Sequence, residues 1–372
     1  MSVKCQVIIE AIERLAPKYL AENWDNVGLL VGSPVQNVAK IRVTLDVTQA
    51  VVDQAIQDGI DLIITHHPVI FKPMTHIRTD LPQGKLLSSL LKADIAVYAA
   101  HTNLDSATGG VNDILAAKLN LQSIQTLAVS HTEKMNKLVV FVPKTHLEDV
   151  RRAILEAGAG HLGNYSHCTF SSDGIGSFLP LEGAQPFVGE CGTVHYTHEV
   201  RLETIVSDKM SRQVVKAMLK AHPYEEVAYD MIQLVNSGHV SGLGRVGKLT
   251  APIPFVDFIL QVKRALGREY VNAAGPRDKM VKKVAVCGGS GAGFIHKAAF
   301  AGADVLVTGD IKYHEAQEAL AAGIAVIDAG HFATEQPVVP FVAEYLGICG
   351  NKHKWEVDIS VDTVNKDVFH VY

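Results

Sequence analysis

From Ile41 onward, short uninterrupted apolar runs alternate with longer stretches in which apolar residues recur every three or four positions. "IRVTLDV", "DLIIT" and "DIAVYAA" read as strands, and "TQAVVDQAIQDG", "GKLLSSLLKA" and "GGVNDILAAKL" as the helices that follow them. A run that is apolar on both faces of the pleat belongs to a buried, mostly parallel sheet, and strand–helix alternation is the grammar of βαβ units. The pattern returns near the end, with strands "VKKVAVCGG", "DVLVTGD" and "IAVIDAG", helices "FIHKAAFAG" and "YHEAQEALAAG", and a last helix toward "PFVAEYLG". The middle has another rhythm: strand "KLVVFVP", helix "HLEDVRRAILEAG", strands "YSHCTFSSDGIGSF" and "VHYTHEVRLETIV", helix "KMSRQVVKAMLKA" and strand "EVAYDMIQLV". That βαββαβ order is the ferredoxin-like arrangement. The fold class expected is therefore α/β, with residues 1–126 and 237–372 forming two blocks of one core. An α+β ferredoxin-like domain, residues 127–236, is inserted between them, and the glycine-rich "NSGHVSGLGRVG", residues 236–247, serves as the return hinge.

Composition narrows the class. The chain has 372 residues, 48% hydrophobic and 20% charged, which suits a soluble globular protein with more than one compact unit. No apolar run approaches the length of a membrane span, and the N-terminal stretch mixes Glu and Lys through an amphipathic helix pattern instead of a signal peptide's apolar region. The expected location is cytoplasmic. Five scattered cysteines without a CxxC disfavour a disulfide framework and a thiolate metal site, and a net charge of −5 offers nucleic acid no general attraction.

Metal-type donors then stand out at strand ends. "LIITHHPVIF" puts His66 and His67 past one apolar run, "HTNLD" puts His101 and Asp105 past another, and "HFATE" puts His331 and Glu335 past a third. Ligands collect outside the carboxyl ends of strands in open α/β sheets, so these segments converge on one rim. If the last helix begins near them, His331 and Glu335 share a face. His66, His67, Asp105, His331 and Glu335 exceed what a closed tetrahedral zinc uses and are too nitrogen-rich for magnesium. They suit two divalent transition ions, zinc first and then manganese, iron, cobalt or nickel, with one imidazole of the tandem pair per ion. His101 and His314 lie beside this rim as candidates for orienting a ligand or moving protons. Asp46, Asp310 and Lys312 reach the same edge, where substrate contact and loop capping stay open alternatives. Asp25 and Asn26 are read as turn formers, Trp24 as packing, Cys287 as a small core residue, and "CGGSGAG" as a tight turn without nucleotide-loop spacing.

"WDNVGLLVG", "ITHHPVIF", "HTNLDSATGGVN", "TGDIKYHEA" and "DAGHFATEQ" together resemble the Nif-three-like family of dinuclear-metal proteins, whose bacterial members are called GTP cyclohydrolase 1 type 2 homologues. The middle domain, with "HPYEEVAYD", is similar to the PII/CutA-like insert of the YqfO-like members. The resemblance implies metal ligands at His66, His67, Asp105, His331 and Glu335, with Glu335 bridging, and a toroidal homohexamer. Two functions stay open. One is a metal-dependent hydrolase whose metal-bound hydroxide attacks a nucleotide or similar small substrate, with His101 or His314 moving protons. The other is a regulatory or scaffolding protein that binds metal without turnover and responds through its insert.

Overall fold

In the computed structural model, which describes residues 2–370, the strand Leu62–Thr65 is buried along its whole length. Its neighbours explain why. Lys40–Thr44 and Ala96–Ala99 flank it in parallel, in a sheet ordered Asp358–Val361, Lys40–Thr44, Leu62–Thr65, Ala96–Ala99, Gly28–Val31, with only the last strand antiparallel. Leu62 and Ile64 pack on one face with Ile8 and Ile12 of the helix Cys5–Leu15 and Val339 and Leu346 of the helix Val338–His353. Ile63 packs on the other with Val52 of the helix Gln49–Asp58 and Leu87 of the helix Pro82–Lys92. With both faces covered, the alternation of polar and apolar residues is lost, and each such side chain contributes roughly 1.5–3 kcal/mol on burial.

The second block has the same construction. Met280–Ser290, Val305–Gly309 and Ala325–Asp328 are parallel neighbours, flanked by antiparallel Asn272–Ala274 and by residues 245–254. Val284, Val305 and Ile327 meet Phe258 and Val262 on one face, and Ala285, Leu306 and Val326 meet Ile295 and Ala319 on the other.

The chain divides into two compact units, one formed by Met1–His131 with Ser241–Tyr372 and the other by Thr132–Val240. In the second unit the helices Leu147–Glu156 and Ser211–Ala221 pack through Val150, Ile154, Val214 and Met218 against Leu138, Val140 and Leu202 of the strands. Its strands Thr169–Phe178 and His195–Ser207 pair antiparallel along their length. The expected hinge at residues 236–247 is a correction: the segment lies within one strand, Tyr229–Pro254. The glycines there serve close backbone approach. A Cβ at Gly238 would fall 2.9 Å from the Glu133 carbonyl oxygen, and one at Gly242 would collide with that of Ala128.

Thr102–Ser106 and His331–Glu335 are five-residue helices, too short for the hydrophobic pattern to resolve. The second is not the start of the last helix, because Pro337 intervenes and caps Val338–His353. His331 and Glu335 nevertheless share a face at i and i+4.

Because the apolar cluster of residues 132–240 is complete in itself, that segment is expected to fold when expressed alone. Replacement of residues 132–240 by a Gly/Ser linker should likewise leave a cooperatively melting core. Circular dichroism and thermal unfolding of both proteins check this, and a molten remainder in either would show that the two units share stability.

Candidate metal centre

The tandem histidines are held by a backbone ladder that continues past the end of the sheet. The amide N–H of His66 donates to the Thr44 carbonyl at 3.3 Å and that of His67 to the Leu45 carbonyl at 2.9 Å, while Thr65 Oγ1 donates to Leu45 O at 2.9 Å. The His66 and His67 ring centroids lie 5.0 Å apart, and His101 stands 5.2 and 5.5 Å from them. His331 lies 5.3 Å from His67.

Each imidazole is fixed the same way, through Nδ1. His66 Nδ1 donates to the Ala100 carbonyl at 2.9 Å, His67 Nδ1 to Asp46 at 2.7 Å, His101 Nδ1 to Asp25 at 2.8 Å and His331 Nδ1 to Asp310 at 2.7 Å. A carbonyl or carboxylate oxygen only accepts, so a proton sits on Nδ1, and the neutral ring presents its Nε2 lone pair inward. This is how ligating histidines are oriented. Burial alone would raise the pKa of Asp25, but the hydrogen bonds from His101 and Thr102 outweigh it and hold the carboxyl at about 2.

Two carboxylates stand among these nitrogens. Glu335 is 3% exposed and Asp105 8% exposed, so both are almost cut off from water. Glu335 Oε1 lies 3.7 Å from His66 Nε2, and Oε2 lies 3.0 Å from His67 Nε2 and 3.1 Å from His331 Nε2. Asp105 Oδ1 is 3.7 Å from His66 Nε2. Yet among the described residues His66 Nε2 and Asp105 Oδ1 are buried with no hydrogen-bond partner. Buried lone pairs left unsatisfied and aimed at one another are costly unless a cation joins them, and a nitrogen–oxygen donor set of this kind fits a divalent transition ion. Three groups place their donor atoms within 4.8 Å of one another: His66, His67 and His101; His67, His331 and Glu335; His66, Asp105 and Glu335. These groups could hold a metal ion. His101, expected beside the rim, thus stands among the donors. His314 does not: it is exposed on the helix Tyr313–Ala321, with Nδ1 bonded to Gln317 at 3.1 Å.

A sequence profile of the Duf34/NIF3 (NGG1p interacting factor 3) family matches residues 3–367. The chain belongs to the Duf34/NIF3 family. It is 47% identical over 368 residues to the GTP cyclohydrolase 1 type 2 homologue of Bacillus subtilis, covering 99% of this chain and 98% of that one. It is 43% identical over 364 residues to the homologue of Halalkalibacterium halodurans, covering 98% of each. A crystal structure of a Bacillus cereus protein related to NIF3 superposes with a TM-score of 0.94 at 45% identity, covering 100% of both chains.

Several parts of this NIF3 site were not assigned from the sequence. Asp46 and Asp310, left open between substrate contact and capping, orient His67 and His331. Asp25 does make the expected turn contact with the Asn26 N–H at 2.8 Å, but it also anchors His101. Trp24, expected as packing, does meet Phe71 and His101 edge to face, but it remains 61% exposed. In "CGGSGAG", Gly289 has φ +62°, and a Cβ there would collide with Glu335 Oε1. Its N–H donates to Thr334 Oγ1 at 3.0 Å, and the Gly288 N–H donates to Asn112 Oδ1 at 2.9 Å. Asn112 in turn donates to the Asp105 carbonyl at 3.0 Å, so it couples the two halves of the site. Cys287 is buried, as expected of a small core residue.

Gly289→Ala should therefore displace the Glu335 carboxylate and lose most bound metal, at a stability cost of about 1–3 kcal/mol. Metal analysis and chemical denaturation check it, and unchanged metal content would show that the cradle is not needed.

The pH dependence has a defined sign in the metal-free protein. Burial would lower the pKa of His67, but Asp46 and Glu335 beside it raise it to about 10; Glu335 raises that of His331, against burial and with help from Asp310, to about 9. Burial pushes Asp105 up, His66 opposes and Glu335 reinforces, giving about 7. Burial would also raise Glu335, but the imidazoles of His331 and His66 hold it well below the usual range. The raised imidazoles contribute stability that is full below the unfolded histidine pKa of about 6.5 and is lost as pH rises through about 9 and about 10. A cation competes with the same protons. The gap in Tm between zinc-loaded and chelator-stripped protein should therefore widen from pH 6.5 to 10; a constant gap would contradict these proton assignments.

Proposed function

We propose that this NIF3-family chain is a dinuclear metal-dependent hydrolase acting on a nucleotide-like small molecule. The observation that carries the reading is the placement of Glu335, whose Oε1 faces His66 and whose Oε2 faces His67 and His331. One carboxylate thereby links two donor groups, one with His66 and Asp105 and the other with His67 and His331, and the tandem histidines fall one to each. The five ligands proposed are His66, His67, Asp105, His331 and Glu335, with zinc the first choice and manganese, iron, cobalt or nickel compatible with the same donors. Bound there, two divalent ions would supply Lewis-acid charge and make water nucleophilic near neutral pH. His101 keeps a proton on Nδ1 through Asp25 and presents Nε2 to the pocket, where it accepts a proton from attacking water or returns one to the leaving group. His314 drops out of the proposal, since its ring is exposed and engaged with Gln317. The name carried by the Bacillus subtilis and Halalkalibacterium halodurans relatives supports a nucleotide as the first substrate to try.

A second reading is favoured by one fact: every donor lies outside residues 132–240. A unit of that size with no part in the donor set suits a sensor, in which the metals are structural and a small molecule or partner is recognised elsewhere. The assembly proposed with either reading is a homohexamer, on the strength of the family resemblance.

Protein purified without chelator or affinity metal should contain close to two transition ions per chain, and Glu335→Gln should lose most of them. Retention of both ions in the double variant His66→Ala, Glu335→Ala would remove the site assignment. A panel of GTP, other nucleotides and phosphodiesters separates the readings: turnover that disappears with the metal supports the hydrolase, and full metal with no turnover supports the sensor. Light scattering should return six times the chain mass of 40.2 kDa; a monomer at micromolar concentration would defeat the ring.

A further inference from the structure

The donor cluster opens on two sides, and the two openings differ in chemistry. One is a cavity of about 940 Å³ reached past His67 and His331. Four carboxylates line it, Asp46, Asp310, Asp328 and Asp367, with two cations, Lys366 and an Arg268 engaged by Asp367 at 2.7 Å and by the Tyr270 hydroxyl at 3.0 Å. An anion entering there meets four carboxylates, set against Lys366 and an Arg268 that is already paired. The other is a pocket of about 540 Å³ with Asp105, Glu335 and His331 on its lining. That volume suits a small ligand.

This second pocket has aromatic walls. Trp24 and Phe71 meet edge to face with centroids 5.9 Å apart, and both are edge to face with His101, at 6.2 and 6.3 Å. Trp24 is 61% and Phe71 46% exposed, so two large apolar rings stand open to water at the mouth of a metal-type site. Lys297 also lines the pocket, with Nζ 5.5 Å from the Phe294 ring centroid and, among the described residues, no ion pair. Flat apolar faces, an unneutralised ammonium and a floor of metal-type donors are the elements that recognise a planar ring carrying an anion.

We infer that the ligand of this site is a heteroaromatic compound bearing a phosphate or similar anion, its ring stacked on Trp24 beside Phe71 and its anion held by Lys297, entering from the Trp24 side. This rests on the reading that the metal cluster acts on a small molecule. Trp24 and Lys297 are then substrate-positioning residues, and neither is a metal ligand.

The test uses zinc-loaded full-length protein with GMP, guanosine and ribose 5-phosphate as probes. The chain has two tryptophans, so Trp355→Phe leaves Trp24 as the only reporter. GMP should quench its fluorescence saturably, and ribose 5-phosphate, which lacks the ring, should not. By calorimetry, Trp24→Ala should weaken GMP binding about ten-fold or more, with zinc content unchanged and most of the affinity kept in Trp24→Phe. Lys297→Ala should weaken GMP but not guanosine, and Lys366→Ala, on the other cavity, should change neither. No saturable GMP binding, an unchanged affinity in Trp24→Ala with zinc retained, or a larger loss in Lys366→Ala than in Lys297→Ala would each overturn the inference. GMP binding with this pattern, but no turnover of any nucleotide, would remove the hydrolase and leave the subsite. Turnover of non-aromatic phosphodiesters unaffected by Trp24→Ala would do the reverse.

Discussion

Two carboxylates buried side by side set the terms for everything around them. Taking a carboxylate out of water costs several kcal/mol even after the protein relaxes, and a second beside it adds repulsion. Glu335 and Asp105 are therefore tolerable together only with positive charge between them, from protonated imidazole or a cation, or with Asp105 protonated. The remainder of the site answers that need. Four imidazoles are anchored through Nδ1 so that their Nε2 atoms face inward. Gly289 gives up a side chain so that Glu335 fits against the strand. Asn112 couples the Asp105 carbonyl to the Gly288 N–H, so the two halves of the core cannot shift independently at this point.

The buried strands were legible because burial on both faces writes itself as an apolar run. "DLIIT" and "DIAVYAA" correspond to Leu62–Thr65 and Ala96–Ala99, and their ends point to the donors. What the pattern could not show was partnership between residues far apart in sequence. Asp46, Asp25 and Asp310 are ordinary loop aspartates until the fold sets each beside a particular ring. Trp24 looked like packing because tryptophan is usually buried, and only its tertiary position reveals an exposed face. The glycines of residues 236–247 suggested a turn, since composition alone cannot separate a hinge from a strand pressed against its neighbour. His331 and Glu335 kept their i, i+4 relation in a helix too short to give a periodic signal.

The division of labour along the chain is also physical. The donors lie on segments flanking residues 132–240, and that middle segment has an apolar cluster of its own. The strands Gln122–Pro143 and Tyr229–Pro254 run through the two boundaries of that segment.

The outermost strand of the first sheet, Asp358–Val361, comes from the far end of the chain. It pairs with Lys40–Thr44, and Arg42 Nε donates to Ser360 Oγ at 2.9 Å across 318 positions of sequence. Arg42 is 6% exposed in the finished protein, held also by Asp58 at 2.7 Å. During synthesis, at roughly 5–20 residues per second, the edge of Lys40–Thr44 stays open until Asp358–Val361 has been made, and a contact so distant in sequence is slow to close. His331 and Glu335 arrive almost as late. A nascent chain on the ribosome thus carries His66 and His67 without the residues that complete their surroundings. The donor groups that include Glu335 are completed only once this late segment has folded onto the first sheet.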